Sequence, residues 1–523
     1  MKQLFLKTFM TIVIVALFSG LVSIINYKNP EKINYRNSDA TWHVLLTIKA
    51  YSQTPSSIHH FLPIVTLGNK LDKGISWGAT IPDKKGNYYY TSFSPAGYVL
   101  PYAFIKVFNL NVDEDSLYLF NSILLMISTV LLSLFVLEIF SKSKYRYLLA
   151  VFAAMIYATT PEVMHGMGRV YWHQSIMQVT LLLQIYAFYK FHESRWAKCG
   201  FYVLAFINPY IEWTGYVANV GFIFAEFLRQ DKKINKDFLK LSVLTIVLTT
   251  LSGLAFVAHY LSVLSIDDFF ATCLLRASAR SGNVLTDLFV LIQTYFVSFR
   301  FSLILLFALW FYLNGQNVKI KEKSLLLINK PLLVALLFPI FENILMLNHA
   351  INYTYDAMKL SFFIMFVLAD LLNILLPEIK TYAKQKKLVM IAVLIFVIVA
   401  NISVYNNDKF YVSNKFNNKI QNLEIADYIK NTYAQDETII VASARIRGYL
   451  TLLFDKNIYE SVPFERLFSN KKFTNCKTLV YLWLGRIDNH EVEKIESALI
   501  YYLGNNRYSL IKYQYDKLIK FHM

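Results

Sequence analysis

Long apolar runs alternate with short polar loops over most of this chain, and the alternation predicts a bundle of membrane-crossing helices. The first run, FLKTFMTIVIVALFSGLVSIINY, stops just before NYRNSDATWH at residues 34–43. Others lie near 116–140, 147–160, 172–190 and 241–263, then one ending near 313, and 331–347, 357–376 and 388–405. Roughly 18–20 apolar residues cross the hydrocarbon core as a helix, and several of these runs approach or exceed that length. The first is too long for a signal-peptide core and lacks a small-residue cleavage site, so it reads as a retained anchor helix.

The polar loops predict the orientation. Lys2 and Lys7 precede the first run and keep the N-terminus cytoplasmic under the positive-inside rule. With alternating crossings, the Lys/Arg-rich loops SKSKYRY, KFHESRWAK, RQDKKINKDFLK, NGQNVKIKEKS and EIKTYAKQKK all fall on that same side. One stretch, 200–228, begins and ends beside basic loops, so a single crossing does not fit it. It is expected to be a hairpin of two short helices, broken at NPYIEWTG by Pro209 and Gly215, with Glu212 at the tip. Such a break persists at membrane depth only where it is buried in protein or faces a wet cavity. The expected fold is therefore a polytopic α-helical membrane protein of about eleven spans, occupying residues 1–405, with a first outer loop from about 27 to 115.

After about residue 406 the pattern changes. IADYIKNTYA reads as a helix, ETIIVAS and KTLVYLWLG as strands, and NHEVEKIESALIYYLGNN as an amphipathic helix stopped at Gly504. Residues 406–523 are expected to form an extracytoplasmic α/β domain.

Composition agrees with the membrane reading: 56% of the 523 residues are hydrophobic and 17% are charged, against roughly 25% charged in soluble domains. The net charge of +17 raises the question of nucleic acid. The basic residues sit between apolar runs, as membrane orientation demands, and argue against it. Cys199, Cys273 and Cys476 have neither disulfide nor metal-ligand spacing.

Ionisable and aromatic side chains gather at the predicted outer helix ends. Asp39 and His43 share one face if 38–51 is helical. Tyr90 and Pro95 belong to YYYTSFSPAGYVLP, which closes the first outer loop. Glu162 and His173 flank the second outer loop, and Glu212 caps the broken hairpin. Arg276 and Arg280 are four apart in the fourth outer loop, and His349, Tyr353 and Lys359 surround the late outer turn beside Glu342 and Tyr355. Ionisable groups at membrane depth are costly and point to function; at helix ends the same groups also serve as caps or snorkelling contacts.

Three stretches carry a resemblance: NSDATWH after the first span, YYYTSFSPAGYVLPYAFIKVF closing the loop, and FENILMLNHAINYTYDAMKLSFF late in the chain. With the topology, they resemble the GT-C glycosyltransferases, in particular the branch of protein O-mannosyltransferases and the lipid A aminoarabinose transferase. The resemblance implies an inverting transfer of a sugar from a polyprenyl-phosphate-linked donor to a lipid, glycan or protein acceptor at the outer face. Asp39 matches the family's early acid and is implied as the base. Arg276, Arg280 and Lys359 are implied partners of the donor phosphate, and His43, Tyr90, Pro95, Glu162, His173, Glu212, His349 and Tyr353 line the cavity.

Ala40 follows Asp39 where many relatives have a second acid, and no D-x-D occurs. A reaction without metal or other cofactor is therefore favoured over one using a divalent ion, which wants several oxygen ligands. The loops and low cysteine content suit a bacterial inner membrane. Two other classes fit parts of the pattern: a lipid-linked-oligosaccharide polymerase or ligase, and a transporter or flippase of lipid-linked sugars, for which a broken hairpin is a usual site-builder.

Overall fold

A computed structural model describes residues 2–27, 36–68, 80–280, 284–316, 318–378, 383–408, 410–411, 419–432, 438–442, 447–460, 478–484, 497, 508–514 and 517–520. The first apolar run is helix α1 (Lys2–Asn26). The segment between the first two long apolar helices then holds α2 (Ser38–Gln53), the short α3 (Ser56–His59), a two-stranded antiparallel hairpin of β1 (Thr80–Pro82) and β2 (Tyr88–Tyr90), and α4 (Ala96–Val107). The bundle continues with α5 (Glu114–Ile139), α6 (Arg146–Thr159), the short α7 (Pro161–Met164), a π-helical turn at His165–Arg169 and α8 (His173–Tyr189). Next come α9 (Arg195–Ile211), α10 (Thr214–Arg229), α11 (Lys236–Leu261), α12 (Ile266–Arg280) and α13 (Val284–Gly315).

The chain then breaks into short pieces: α14 (Ile320–Lys323), α15 (Leu325–Ile328), α16 (Lys330–Leu337), α17 (Phe341–Leu345) and α18 (Leu347–Asn352). A 3₁₀ turn at Thr354–Met358 leads into α19 (Lys359–Glu378), followed by α20 (Ala383–Asn407).

Five of these helices are long and apolar enough to cross a membrane, or six when the bent pair Arg146–Thr159 and Pro161–Arg169 is taken as one span. Eleven crossings also require α20, the broken stretch of α16 and α17, and α8, α9 and α10, the last three of 16 or 17 residues, shorter than the roughly 20 residues of a full crossing. The chain is an integral membrane protein. The outer helices expose large apolar side chains, such as Phe9 and Leu17 on α1, Ile246 on α11 and Phe311 on α13, as lipid-facing helices do. By contrast α19 is central: 72% of its apolar window is buried, against 22% for α11.

Two breaks in the helices have local causes. The expected hairpin forms, and α9 and α10 meet at Glu212–Trp213. Pro209 stays inside α9. The turn depends on Gly215, where an added Cβ would lie 2.2 Å from the backbone carbon of Asn208. The Glu212 carboxylate accepts from Thr214 N–H at 2.9 Å and satisfies a donor at the start of α10. The second break is the 60° bend between α6 and Pro161–Arg169. It frees backbone carbonyls inside the bundle, and Asn121 of α5 donates to three of them, on Gly166, Gly168 and Val170, at 3.0–3.3 Å.

Beyond 406, α21 (Lys419–Thr432) and α22 (Arg447–Phe454) accompany a five-stranded sheet. Its strands are β3 (Thr438–Ala442), β4 (Ile458–Glu460), β5 (Thr478–Leu484), β6 (Tyr508–Gln514) and β7 (Lys517–Lys520), in the order β4-β3-β5-β6-β7. Only the β6–β7 pair is antiparallel. The helix expected from NHEVEKIESALIYYLGNN lies outside the described residues apart from residue 497. The tail touches the segment between α1 and α5: Lys49 pairs with Asp455 at 2.8 Å, and Asn457 Oδ1 accepts from Leu67 N–H at 2.7 Å.

Candidate active site

The condition on which Asp39 and His43 share one face is met, since 38–51 lies within helix α2, and the first turn of that helix is docked on two remote segments. Asn37 Nδ2 donates to Asn352 O at 2.9 Å, and Arg36 Nη2 donates to Ile351 O at 3.2 Å. Thr41 Oγ1 accepts from Tyr171 N–H at 3.0 Å. Asp39 is thereby fixed between the late outer turn and the second outer segment. Its carboxylate accepts hydrogen bonds from its own N–H and that of Ala40. Solvent reaches the side chain, yet protein surrounds it on most sides, and that crowding pushes the carboxyl above the usual aspartate range despite the two N–H donors. Both properties together describe a solvent-reached carboxylate in crowded surroundings.

One turn further, on the same face, His43 is buried among rings: Tyr90 at 4.5 Å, Trp172 at 5.4 Å and Tyr98 at 5.6 Å between centroids. Burial, reinforced by His173 and Arg276, holds its imidazole down at about 3, so it is neutral at physiological pH. The wall continues through Phe93, stacked on His173 at 4.7 Å and 6.1 Å from His349, whose ring lies 4.7 Å from Tyr353. Gly97 makes this wall feasible, because a Cβ there would lie 2.4 Å from His173 Nδ1. Pro95 is the residue before α4 and its carbonyl accepts from Tyr98 N–H at 2.9 Å. The stretch that closes the loop thus builds one side of a packed aromatic cluster.

Beneath the wall runs a buried polar chain. His349 Nδ1 and Asp356 Oδ2 are 2.6 Å apart. Gln174 Nε2 donates to Asp356 Oδ1 at 2.6 Å and lies 3.5 Å from Glu212 Oε1. Lys359 forms an ion pair with Glu342, donates to Asn343 Oδ1 at 2.8 Å and lies 3.9 Å from Asp356. Tyr355 stands within electrostatic reach of Asp39, Asp356 and Tyr90, which joins this chain to Asp39. Glu212 borders a narrow cavity shared with Ser92, Phe93 and Trp213.

Of the expected cations, Arg276 reaches the aromatic cluster: its Nη2 donates to Tyr90 OH at 3.2 Å and its guanidinium lies 5.4 Å from the Tyr90 ring centre. The side chain of Arg280 lies outside the described residues. Glu162 stands nearby but is fully buried, accepting from Ser298 Oγ at 2.9 Å and Tyr411 OH at 3.0 Å. The structure adds Phe93, Trp172, Gln174 and Asp356, which the sequence reading did not single out. Asp356 alone left a signal, as an acid three residues before Lys359. Among the described residues no group of three or more His, Cys, Asp or Glu side chains is arranged to hold a metal ion.

No protein-family model and no curated protein sequence matches the chain. Its fold is similar to that of the oligosaccharyltransferase of Archaeoglobus fulgidus. The apo crystal structure matches with a TM-score of 0.54 and 14% identity, over 90% of this chain and 66% of that one. The archaeal oligosaccharyltransferase AglB from the same organism, in complex with an inhibitory peptide and a dolichol-phosphate, matches with a TM-score of 0.54 and 12% identity, over 86% and 64%. The chain therefore spans somewhat less than two thirds of the length of these relatives. The likeness is one of fold and does not single out the O-mannosyltransferase and aminoarabinose-transferase branch.

Proposed function

We propose that this protein is an inverting membrane glycosyltransferase that moves a sugar from a polyprenyl-phosphate-linked donor to a lipid, glycan or protein acceptor on the outer face of a bacterial inner membrane. The carrying observation is Asp39, a carboxylate open to solvent, raised in pKa and set beside an aromatic cluster. An acceptor hydroxyl gives its proton to an Asp39 oxygen as its own oxygen attacks the anomeric carbon. The bond from that carbon to the phosphate oxygen breaks on the opposite face, and the lipid phosphate leaves with the electron pair. A base of raised pKa is suited to this at neutral pH.

Arg276, held by Tyr90, is the cation for the departing phosphate; Arg280, four residues on, is a second candidate. Lys359 is neutralised by Glu342, so its part is to position Asp356 and His349 rather than to bind phosphate. His43, His173, His349 and Tyr353 form the wall against which the sugar packs. The scheme uses no metal or cofactor.

The dolichol-phosphate in the archaeal oligosaccharyltransferase AglB supports a lipid-phosphate donor. The same fold likeness favours one second reading, in which the transferred group is a preassembled lipid-linked glycan.

Mass spectrometry of surface glycans tests the proposal in three strains: wild type, a deletion, and Asp39→Asn expressed at wild-type level in membranes. The deletion and Asp39→Asn are expected to lose the same glycan. Wild-type glycan in the Asp39→Asn strain would overturn the assignment of the base.

A further inference from the structure

A cavity of about 360 Å³ lies far from this chemistry. It is framed by α5 and α8, with Thr8 of α1 and Arg146 of α6 at its polar end. Glu114, at the start of α5, accepts a hydrogen bond from Trp42 of α2, beside the candidate site, while Glu138, near the end of α5, lines the cavity. At 1.5 Å per helical residue the two ends of α5 are ~36 Å apart. The positive-inside reading assigns the cavity end to the cytoplasmic leaflet.

The walls are Leu131, Leu134, Phe135, Leu182 and Leu183, and the partly exposed Tyr186 opens them to the surface of the bundle. The polar end has an excess of positive charge. Glu138 lines it, but Lys190 pairs with that carboxylate and with Glu193. Arg146 lines it too, and its recorded partners are neutral: Ser141 O at 3.2 Å, Tyr147 OH at 2.9 Å and the face of the Tyr147 ring at 4.8 Å. Lys7 acts on the same Tyr147 hydroxyl, and Lys142 and Lys144 lie in the adjoining loop. An apolar slot ending in a guanidinium without a carboxylate partner among the described residues fits a lipid whose head is a phosphate and whose tail is a hydrocarbon.

We propose that this groove binds an anionic phospholipid of the inner leaflet, one acyl chain along the leucines and the phosphate on Arg146. The planar guanidinium fork matches phosphate oxygens in pairs, and basic pockets between helices on the cytoplasmic side are suited to anionic headgroups. The inference is independent of the proposed reaction.

Native mass spectrometry of the full chain in detergent, titrated with phosphatidylglycerol, phosphatidylcholine and a polyprenyl phosphate, tests it. Phosphatidylglycerol is expected to be retained about fivefold better than phosphatidylcholine, the scale of one basic residue near an anionic headgroup. Arg146→Gln should remove that preference. Leu182→Trp, which fills the slot without touching charge, should lower retention of both phospholipids. Thermal unfolding with phosphatidylglycerol gives a second readout, a rise in Tm for the unaltered protein and none for Arg146→Gln. Equal retention of the two phospholipids, an undiminished preference in Arg146→Gln, or displacement of phosphatidylglycerol by equimolar polyprenyl phosphate would each overturn the proposal.

Discussion

Asp39 and Glu162 are two carboxylates near the same end of the bundle, and their surroundings are opposite. Glu162 is fully buried, with Ser298 and Tyr411 hydroxyls donating to it. Asp39 is open to solvent and its recorded donors are two backbone N–H groups of its own helix. Both belong to one neighbourhood, since Arg36, three residues before Asp39, acts electrostatically on Glu162. The difference teaches how to read a polar residue in this fold. A carboxylate closed in by side-chain donors ties helices together, whereas one reached by solvent is available to a substrate.

Exchanging each acid for its amide gives the largest predicted contrast. Asp39→Asn should lower transfer by about 10²–10⁴-fold with thermal unfolding little changed. Glu162→Gln should leave the rate near that of the unaltered protein and lower the Tm. Equal rate losses in both would remove the distinction. The pH dependence sharpens it further. Burial raises the Asp39 pKa by disfavouring the charged form, so transfer should climb as pH passes through a value above that of an ordinary aspartate. Fold stability should move the other way, because ionising a carboxyl of raised pKa disfavours the folded state as pH rises through it. A rate profile with its rising limb at the usual aspartate value would contradict this account.

The buried chain below the aromatic cluster gives the second contrast. Lys359 and Glu342 are both almost fully buried. Lys359→Met should lose about 3–5 kcal/mol of stability, because it strands a buried carboxylate. Lys359→Met combined with Glu342→Leu should recover much of that loss, since a buried ion pair is often replaceable by apolar side chains. Chemical unfolding in detergent measures both. No recovery in the double variant would mean that the pair does more than balance charge, for instance by holding Asp356 against His349.

How much of this was legible depends on the range of the interaction. The shared face of Asp39 and His43 could be read from their spacing on the condition of a helix over 38–51, and the break at Glu212 from loop charge on both sides of 200–228. Both are local or topological facts. The link from Gln174 to Asp356 spans 182 positions, and nothing in either segment names the other. The role of Gly97 was also hidden, because the reason for the glycine is the His173 ring. Glu162 shows the converse: an acid at an outer helix end looked like a cavity residue, and only packing revealed Ser298 and Tyr411 around it.

Gly97→Ala probes that hidden contact. The new methyl would overlap the His173 ring, so the ring or α4 must shift, at about 1–3 kcal/mol for an overpacked site. The aromatic wall would move with it, and the apparent KM for donor or acceptor should rise more than kcat falls. Unaltered kinetics would indicate that His173 yields without disturbing the wall.

The smallest effect concerns the tail. Lys49 and Asp455 form an ion pair in which Asp455 is about half exposed, whereas Asn457 is fully buried and exchanges hydrogen bonds with the backbone of Leu67, at 2.7 Å and 3.3 Å. Solvent screens the first, so Lys49→Ala should cost only about 0–1 kcal/mol and less at high salt. The second has no water to replace it. Asn457→Ala leaves a buried N–H and C=O without partners, at about 1–3 kcal/mol for such a group. Limited proteolysis between α20 and α21 would report the docking directly, with faster cleavage for Asn457→Ala than for Lys49→Ala. If neither substitution changes cleavage, the tail is held by its apolar contacts with α2, or folds without the helical bundle. Expression of residues 406–523 alone then separates those two cases: cooperative unfolding of the fragment marks a self-contained unit, and its absence marks dependence on α2.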